Sequence, residues 1–116
     1  MKSGARQPWE VTSEKVEAAI RKIIEVSQPD ELILFGSYLE DATAINSDVD
    51  FLVITGDHVE NPRKESVRIR RALRGISMPM DILVIPKSKW DQLKDVPGLI
   101  YREATSKGKV VYEYTE

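Results

Sequence analysis

Apolar residues recur at helical spacing near the start of the chain and in short runs further along it, which predicts a mixture of helices and strands. The helical spacing begins after Thr12 or Ser13, either of which can serve as the N-cap, and charged residues occupy the opposite face. This helix is expected to stop near Pro29, because proline restricts the conformation of the residue before it. Its predicted inner face consists of Val16, Ala19, Ile20, Ile23 and Ile24.

Apolar runs bounded by turn residues predict four strands, and the stretches between them predict further helices. The helix after the second strand has Asn61 as its expected N-cap and Gly75 at its expected end. Ser88 and Asp91 have the spacing of a capping box, which predicts another helix start. We expect strands at residues 31–35, 48–55, 80–85 and 110–112, and helices at residues 37–44, 62–74, 89–94 and 99–106.

This order of elements predicts an α/β (α+β) fold, in which a small mixed sheet of three to four strands packs with helices. At 116 residues the chain is expected to form one domain over residues 12–116, preceded by a flexible tail over residues 1–11. The helix at residues 62–74 is expected to face the core with the apolar set Val67, Ile69, Ala72, Leu73 and Ile76.

Charge and cysteine content exclude several classes of function. The chain has 17 basic and 19 acidic residues and a net charge of −2, which argues against a protein that grips a nucleic-acid backbone. The absence of cysteine excludes disulfides, zinc–thiolate sites and a thiol nucleophile. No apolar run approaches the ~20 residues that span a bilayer, and residues 1–10 lack the apolar segment of a secretory signal, so a cytoplasmic location is expected.

Three aspartates lie in or beside predicted strands that are otherwise apolar. Side chains alternate along a strand, so Asp48 and Asp50 are expected on one face, together with Leu52 and Ile54. Two carboxylates ~6.5 Å apart repel by roughly 2–3 kcal/mol at an effective dielectric of about 20, which a cation or a basic partner normally offsets. Asp81 is a third acid inside an apolar strand. If the two strands are neighbours, the three carboxylates converge into an oxygen site suited to magnesium.

Gly36 and Ser37 supply a second chemical feature next to the first predicted strand. A glycine at the end of a strand, followed by a serine at a helix start, offers backbone N–H groups, a hydroxyl and the positive end of a helix dipole. All three suit phosphate oxygens. Phosphate contacts on one side and a carboxylate-held metal on the other together predict a nucleoside triphosphate site.

These residues resemble the DNA polymerase beta-like nucleotidyltransferase superfamily in its minimal (MNT) form. The family motif is Gly-Ser, a gap of nine residues, and Ser-Asp-x-Asp, which matches Gly36-Ser37 and residues 47–50. The family's later acid within an apolar strand matches Asp81. The resemblance covers about residues 12–112, nearly the whole chain, and it implies the nucleotidyltransferase fold.

The resemblance implies that an acceptor attacks the α-phosphate of a nucleoside triphosphate in line, with ATP the expected donor, and releases pyrophosphate. It implies that Asp48, Asp50 and Asp81 hold two magnesium ions, with Asp81 also assisting deprotonation of the acceptor. MNT proteins commonly pair with HEPN-domain proteins as antitoxins of toxin–antitoxin systems, so a HEPN-type protein is the implied partner. The implied phosphate-binding residues are Gly36, Ser37 and Ser47.

The chain departs from the family pattern directly after Gly36-Ser37. Minimal members often carry a basic residue there and then an Arg-Gly pair, whereas this chain has Tyr38, Glu40 and Asp41. These departures favour an alternative, a binding module of the same fold that neutralises its partner by direct contact. An aminoglycoside-type transferase fits less well, because the additional domain that frames a small acceptor is missing. The sequence leaves the oligomeric state open and admits a homo-oligomer.

Other polar residues have simpler interpretations. Six basic residues spread around the predicted helix at residues 62–74, which favours a solvated outer face over a partner-docking patch. His58 is expected in a surface loop, without a catalytic role. The six basic residues are Arg63, Lys64, Arg68, Arg70, Arg71 and Arg74.

Overall fold

The structure, a computed structural model, describes residues 9–40 and 48–115, which form five helices and four strands in the predicted order. The helix predicted at residues 37–44 is seen to Glu40, and its remainder lies outside the described residues. The elements are α1 (Ser13–Ser27), β1 (Glu31–Phe35), α2 (Ser37–Glu40), β2 (Val49–Thr55), α3 (Pro62–Ala72), β3 (Met80–Pro86), α4 (Lys87–Leu93), α5 (Ile100–Lys107) and β4 (Lys109–Glu113).

The strands of the described residues form one sheet in the order β3, β2, β1, β4. Strand β1 pairs antiparallel with β2 and with β4, whereas β2 and β3 run parallel. Parallel neighbours need a crossover connection, which α3 provides. The predicted mixed sheet packed with helices is therefore confirmed, and β2 lies between β1 and β3.

The core has two parts, one on each face of the sheet, because side chains alternate along β2. Val49, Phe51 and Val53 pack on one face, with buried residues of α1 and α3. Leu52 and Ile54 pack on the other face, with buried residues of α4 and α5. The division of β2 into these two sets agrees with the sequence-based prediction, and it places Asp50 on the face that α4 and α5 cover.

Side-chain caps fix where α1 and α3 begin. The Lys15 N–H donates to Thr12 Oγ1 at 3.2 Å, and the Lys64 N–H donates to Asn61 Oδ1 at 3.2 Å. Each bond satisfies one of the backbone donors that a helix start leaves without an intrahelical partner. The predicted N-caps Thr12 and Asn61 are thus confirmed.

The start of α4 differs from the prediction. The helix begins at Lys87, and the Ser88 N–H donates to Asp57 Oδ1 at 3.0 Å. Asp91 forms an ion pair with Lys87 at 3.0 Å. The predicted capping box of Ser88 and Asp91 is therefore wrong, because an acid from the loop after β2 reaches the helix start.

The inner face of α3 also differs in part from the prediction. Ile69 and Leu73 are fully buried, but Val67 is 44% exposed. The residue that completes the buried row is Glu65, one helical turn before Ile69 and 9% exposed. The buried row of α3 thus includes the charged residue Glu65, whereas the sequence-based prediction had placed Val67 there.

Buried Glu65 is held by three hydrogen bonds. Ser27 Oγ donates to Glu65 Oε2 at 2.7 Å, and Arg68 donates from Nε to Oε1 at 3.0 Å and from Nη2 to Oε2 at 2.9 Å. Burial alone would raise the pKa of Glu65, but the hydrogen bonds from Arg68 and Ser27 outweigh it and lower that pKa. Arg68 Nη2 also donates to the Val26 carbonyl at 2.8 Å, so the group ties α1 to α3.

Glu65→Gln is expected to lower the free energy of unfolding by about 1–2 kcal/mol at neutral pH, since hydrogen bonds to a charged group are lost. Because the pKa of Glu65 is lowered in the folded state, its carboxylate stabilises the fold at pH values above the unfolded pKa near 4.5. This stabilisation is lost as pH falls through the folded-state pKa. Urea unfolding should therefore show a difference in the free energy of unfolding between the two proteins that is constant near neutral pH and disappears in acid. Glu60→Gln, at an exposed acid of the preceding loop, is the matched control. A difference in the free energy of unfolding that does not depend on pH would contradict the stabilising role assigned to the charged Glu65 carboxylate.

Two further predictions concern the chain's start and its relation to membranes. Trp9 is 53% exposed, whereas Val11 packs against the core, and residues 1–8 of the predicted tail lie outside the described residues. None of the helices described over residues 9–40 and 48–115 has the length and apolar character needed to cross a membrane.

Candidate functional site

Three strand ends meet at one edge of the sheet and bring the predicted site residues together. Strand β1 runs antiparallel to β2, so Phe35 at its end pairs with Asp50 near the start of β2. Strand β3 runs parallel to β2, so Asp81 near its start pairs with Asp50 from the other side. Asp50 therefore lies between the Gly36-Ser37 turn and the third predicted acid.

Asp50 and Asp81 form a close carboxyl pair. They occupy equivalent positions on parallel neighbours, which places their side chains on the same face of the sheet. Burial raises the pKa of Asp50 to about 6, with repulsion by Asp81, Asp48 and Glu103 and a side-chain hydrogen bond to Asp81 adding to the effect. A carboxyl–carboxyl hydrogen bond needs one proton, and the raised pKa of Asp50 favours its protonated form.

Asp48 precedes β2 and is exposed. Its backbone anchors the start of α2: the Asp48 N–H donates to Ser37 Oγ at 3.2 Å, and its carbonyl accepts from the Tyr38 N–H at 3.2 Å. Its carboxylate lies near enough to raise the pKa of Asp50. Over the described residues, however, no three acidic or metal-binding side chains meet the spacing of a preformed metal site. The structure therefore pairs two of the predicted acids, with Asp48 as their electrostatic neighbour.

Gly36 has two reasons to be glycine. Its φ of +94° lies in the left-handed region, which other residues rarely adopt. A Cβ atom at this position would also collide with Asp50 Oδ2 and lie 2.9 Å from Asp50 Cγ. The turn after β1 thus passes directly against the Asp50 carboxyl group, and a side chain at Gly36 would displace it.

Tyr38, the residue directly after Ser37, lies away from the carboxyl pair. Tyr38 is partly buried and packs against the core cluster on the α1 and α3 face, opposite the face that carries Asp50. Glu40 is exposed at the end of α2. Asp41 and the predicted phosphate-binding residue Ser47 lie outside the described residues. Of the three departures from the family motif, Tyr38 is thus placed in the core.

Two residues near the pair were not singled out for the site by the sequence. Arg70 of α3 places Nη2 4.0 Å from Asp81 Oδ1 and 3.5 Å from the Ile82 carbonyl oxygen. Glu103 of α5 contributes to the raised pKa of Asp50. A crossover helix between β2 and β3 offers a weak signal for Arg70, because such a helix must return to the strand that carries Asp81. Nothing in the sequence indicates how α5 docks, so Glu103 carries no comparable signal.

The chemistry of this edge suits a hard cation and phosphate. The available side-chain ligands are the carboxylate oxygens of Asp48, Asp50 and Asp81, which Mg²⁺ prefers over nitrogen or sulfur. Burial, and then repulsion by Asp81 and Asp48, raise the pKa of Asp50, and the repulsion indicates that acidic groups lie close together there. A divalent cation would offset the repulsion among these carboxylates, so the donor set fits the metal that the sequence predicts.

Comparisons with known proteins bear on the family and the fold of the chain. The profile of the family described as "Nucleotidyltransferase domain" matches residues 14–110. Among solved structures, the chain is similar to one described as "Crystal structure of the toxin-antitoxin with AMP-PNP", at 21% identity and a TM-score of 0.54. The match covers 85% of this chain and 74% of the other, and at this identity it shows a shared fold. No curated protein sequence gives a significant match.

Proposed function

The chain belongs to the nucleotidyltransferase domain family, and from this premise we propose that it transfers AMP from ATP to a hydroxyl group of a partner protein. The observation that carries the proposal is the in-register pair of Asp50 and Asp81 beside the Gly36 turn. Acids on adjacent strands and a phosphate-suited turn are the two halves that such a transfer requires.

The residues have distinct roles in this proposal. Asp48, Asp50 and Asp81 would hold magnesium through carboxylate oxygens, and magnesium bound there would stabilise negative charge that develops on the reacting oxygens. The turn at Gly36 and Ser37, with Ser47, binds the triphosphate through backbone N–H groups and hydroxyls. Gly36 is needed there because it lets the phosphates and the Asp50 carboxyl group approach one another without an intervening side chain.

The transfer itself is an exchange of one phosphoanhydride bond for one phosphoester bond. The acceptor oxygen forms a bond to the α-phosphorus while the bond from that phosphorus to the bridging oxygen of pyrophosphate breaks. Asp81 is the acid of the pair with the greater exposure, its side chain being 63% accessible. It is therefore the group placed to receive the acceptor proton, and pyrophosphate leaves with the electron pair of the broken bond.

A protein acceptor fits the size of the domain. The two core clusters lie on opposite faces of a single four-stranded sheet, which leaves little room for an enclosed acceptor pocket beside a triphosphate. The solved structure of similar fold is described as a toxin–antitoxin with AMP-PNP, which supports a partner protein and an adenine nucleotide. We therefore propose a HEPN-type toxin as the acceptor and this chain as its antitoxin.

Incubation with ATP, magnesium and a co-expressed HEPN-type partner is expected to add one or more AMP groups to the partner, seen by intact-protein mass spectrometry. Asp48→Asn is expected to abolish the addition, because a carboxylate that holds magnesium is lost. Asp95→Asn, at an exposed acid in the turn after α4, should leave it unchanged. No mass addition by the unaltered, folded protein would contradict transfer to this class of partner.

A second candidate function is neutralisation by binding alone. Two observations favour it: no preformed three-ligand group exists over the described residues, and Glu40 places an exposed acid beside the triphosphate turn. Growth rescue of cells that express the partner separates the two functions. If binding suffices, Asp48→Asn rescues growth as well as the unaltered chain does. If transfer is required, rescue is lost together with the mass addition.

A further inference from the structure

A groove of about 240 Å³ lies between the end of α3 and the strand β3. Its floor is apolar, with Leu73 and Ile82 almost fully buried and three further apolar residues around them. Two arginines complete its lining. The residues are Arg70, Leu73, Arg74, Ile76, Met78, Met80 and Ile82.

Arg70 links the groove to the carboxyl pair across the outer strand of the described sheet. Met80 and Ile82 line the groove from the face of β3 opposite to Asp81, because side chains alternate along a strand. Arg70 lines the groove as well, and its Nη2 lies 4.0 Å from Asp81 Oδ1. A chain held in the groove that continues past Arg70 and around the outer edge of β3 would therefore reach the acid that we propose as the proton acceptor.

The positive charge in the groove has few internal partners. Arg74 is exposed, and in the described part of the chain it has no ion pair. The Arg70 contact to Asp81 is long, and both side chains are about half exposed or more. Exposed pairs of this kind contribute little, so both guanidinium groups remain available to carboxylates of another molecule.

We propose that this groove docks an acidic segment of the acceptor protein, with an apolar side chain on the floor and carboxylates on Arg70 and Arg74. The inference rests on the proposed function, since it assigns the surface that presents the acceptor hydroxyl to Asp81. An apolar floor offers nothing to a nucleic-acid backbone, and the net charge of −2 disfavours one. A segment that pairs an apolar residue with acidic neighbours matches both features of the groove.

The test uses the isotope-labelled full chain and a synthetic peptide that contains leucine and tyrosine flanked by aspartate and glutamate, without nucleotide or metal. We expect amide shifts at the groove residues and weaker binding of the matched peptide with asparagine and glutamine. Arg74→Gln should weaken binding about fivefold, as expected for one exposed charge contact, and Arg74→Glu further. Arg71→Gln is the matched control, because Arg71 is an exposed arginine of α3 outside the groove.

Four results would overturn the docking proposal: no binding of the acidic peptide, equal binding of the neutral one, equal loss in the Arg71 variant, or stronger binding of a single-stranded RNA oligonucleotide. Amide spectra of the Arg74 variants establish that they remain folded. The assay needs no ATP, so it is independent of the transfer experiment. Peptide binding without AMP transfer would refute the proposed transfer activity and support the docking surface. Transfer without peptide binding would support the activity and refute the docking surface.

Discussion

Replacing Asp50 by asparagine is expected to abolish AMP transfer while raising the melting temperature of the metal-free protein. Asparagine lacks the negative charge through which we propose that Asp50 holds magnesium, and the loss of metal stabilisation at the reacting oxygens would cost several kcal/mol, on the order of 10³-fold in rate. The same substitution removes an acid that the fold accommodates poorly. Activity and stability should therefore change in opposite directions.

The stability gain follows from the raised pKa of Asp50. Burial, and then repulsion by Asp81 and Asp48, raise that pKa from 3.8 to about 6. The folded protein thus holds the proton more tightly than the unfolded chain, so stability falls as pH rises between these two values. Near pH 7 the fold carries the full penalty, which an uncharged asparagine lacks. The advantage of the variant should shrink as pH falls toward 3.8.

Thermal unfolding with a chelator present, at about pH 7 and at about pH 4, measures this effect above the pKa of folded Asp50 and near that of the unfolded chain. Asp95→Asn serves as the control, since Asp95 is exposed in the turn after α4 and does not contribute to the pKa of Asp50. A variant that loses activity and also melts earlier at neutral pH would show that Asp50 supports folding, which contradicts the present assignment.

Patterning identified the strands well because the fold buries both faces of β2. Alternation alone placed Val49, Phe51 and Val53 against one set of helices, and Leu52 and Ile54 against the other. Asp50 therefore had a predictable face. Its partner did not have a predictable position, because pairing with Asp81 depends on the order and register of strands that are 31 positions apart in the chain.

The errors share one physical cause, which is a tertiary contact that overrides a local preference. Ser88 has the spacing of a cap, yet Asp57 from another loop binds its N–H. Val67 is the better core residue by hydrophobicity, yet Glu65 is buried because Ser27 and Arg68 satisfy its carboxylate. Contacts between distant segments leave little trace in local periodicity, which is why sequence patterning selected the wrong residues there.

Gly36→Ala is expected to be the most damaging single substitution of a small residue in the site. The φ of +94° costs a residue with a Cβ atom about 1–2 kcal/mol, and overpacking against Asp50 adds about 1–3 kcal/mol. Relief of the collision must move the Asp50 carboxyl group or open the turn that we propose to bind phosphate. Either movement should reduce AMP transfer by on the order of 10²-fold, because misplacement of about 1 Å has effects of that size.

Gly98→Ala provides a matched control for the backbone part of this cost. Gly98 has a φ of +88°, close to that of Gly36, but an added Cβ atom there has no neighbour within 4 Å among the described residues. Urea unfolding should show a loss of about 1–2 kcal/mol for Gly98→Ala and a larger loss for Gly36→Ala. Only Gly36→Ala should reduce AMP transfer. Equal losses of stability would show that contact with Asp50 contributes nothing.

The double variant of Gly36→Ala and Asp50→Ala separates collision from conformation. Removing the Asp50 carboxyl group removes the Cγ atom 2.9 Å from the new Cβ, so the added cost of Gly36→Ala should fall toward that of Gly98→Ala. A coupling energy of about 1–3 kcal/mol between the two positions would measure the energetic cost of the collision between the new Cβ atom and the Asp50 carboxyl group. In the proposed function, phosphate and the metal ligands approach one another at this contact, which only a residue without a side chain permits.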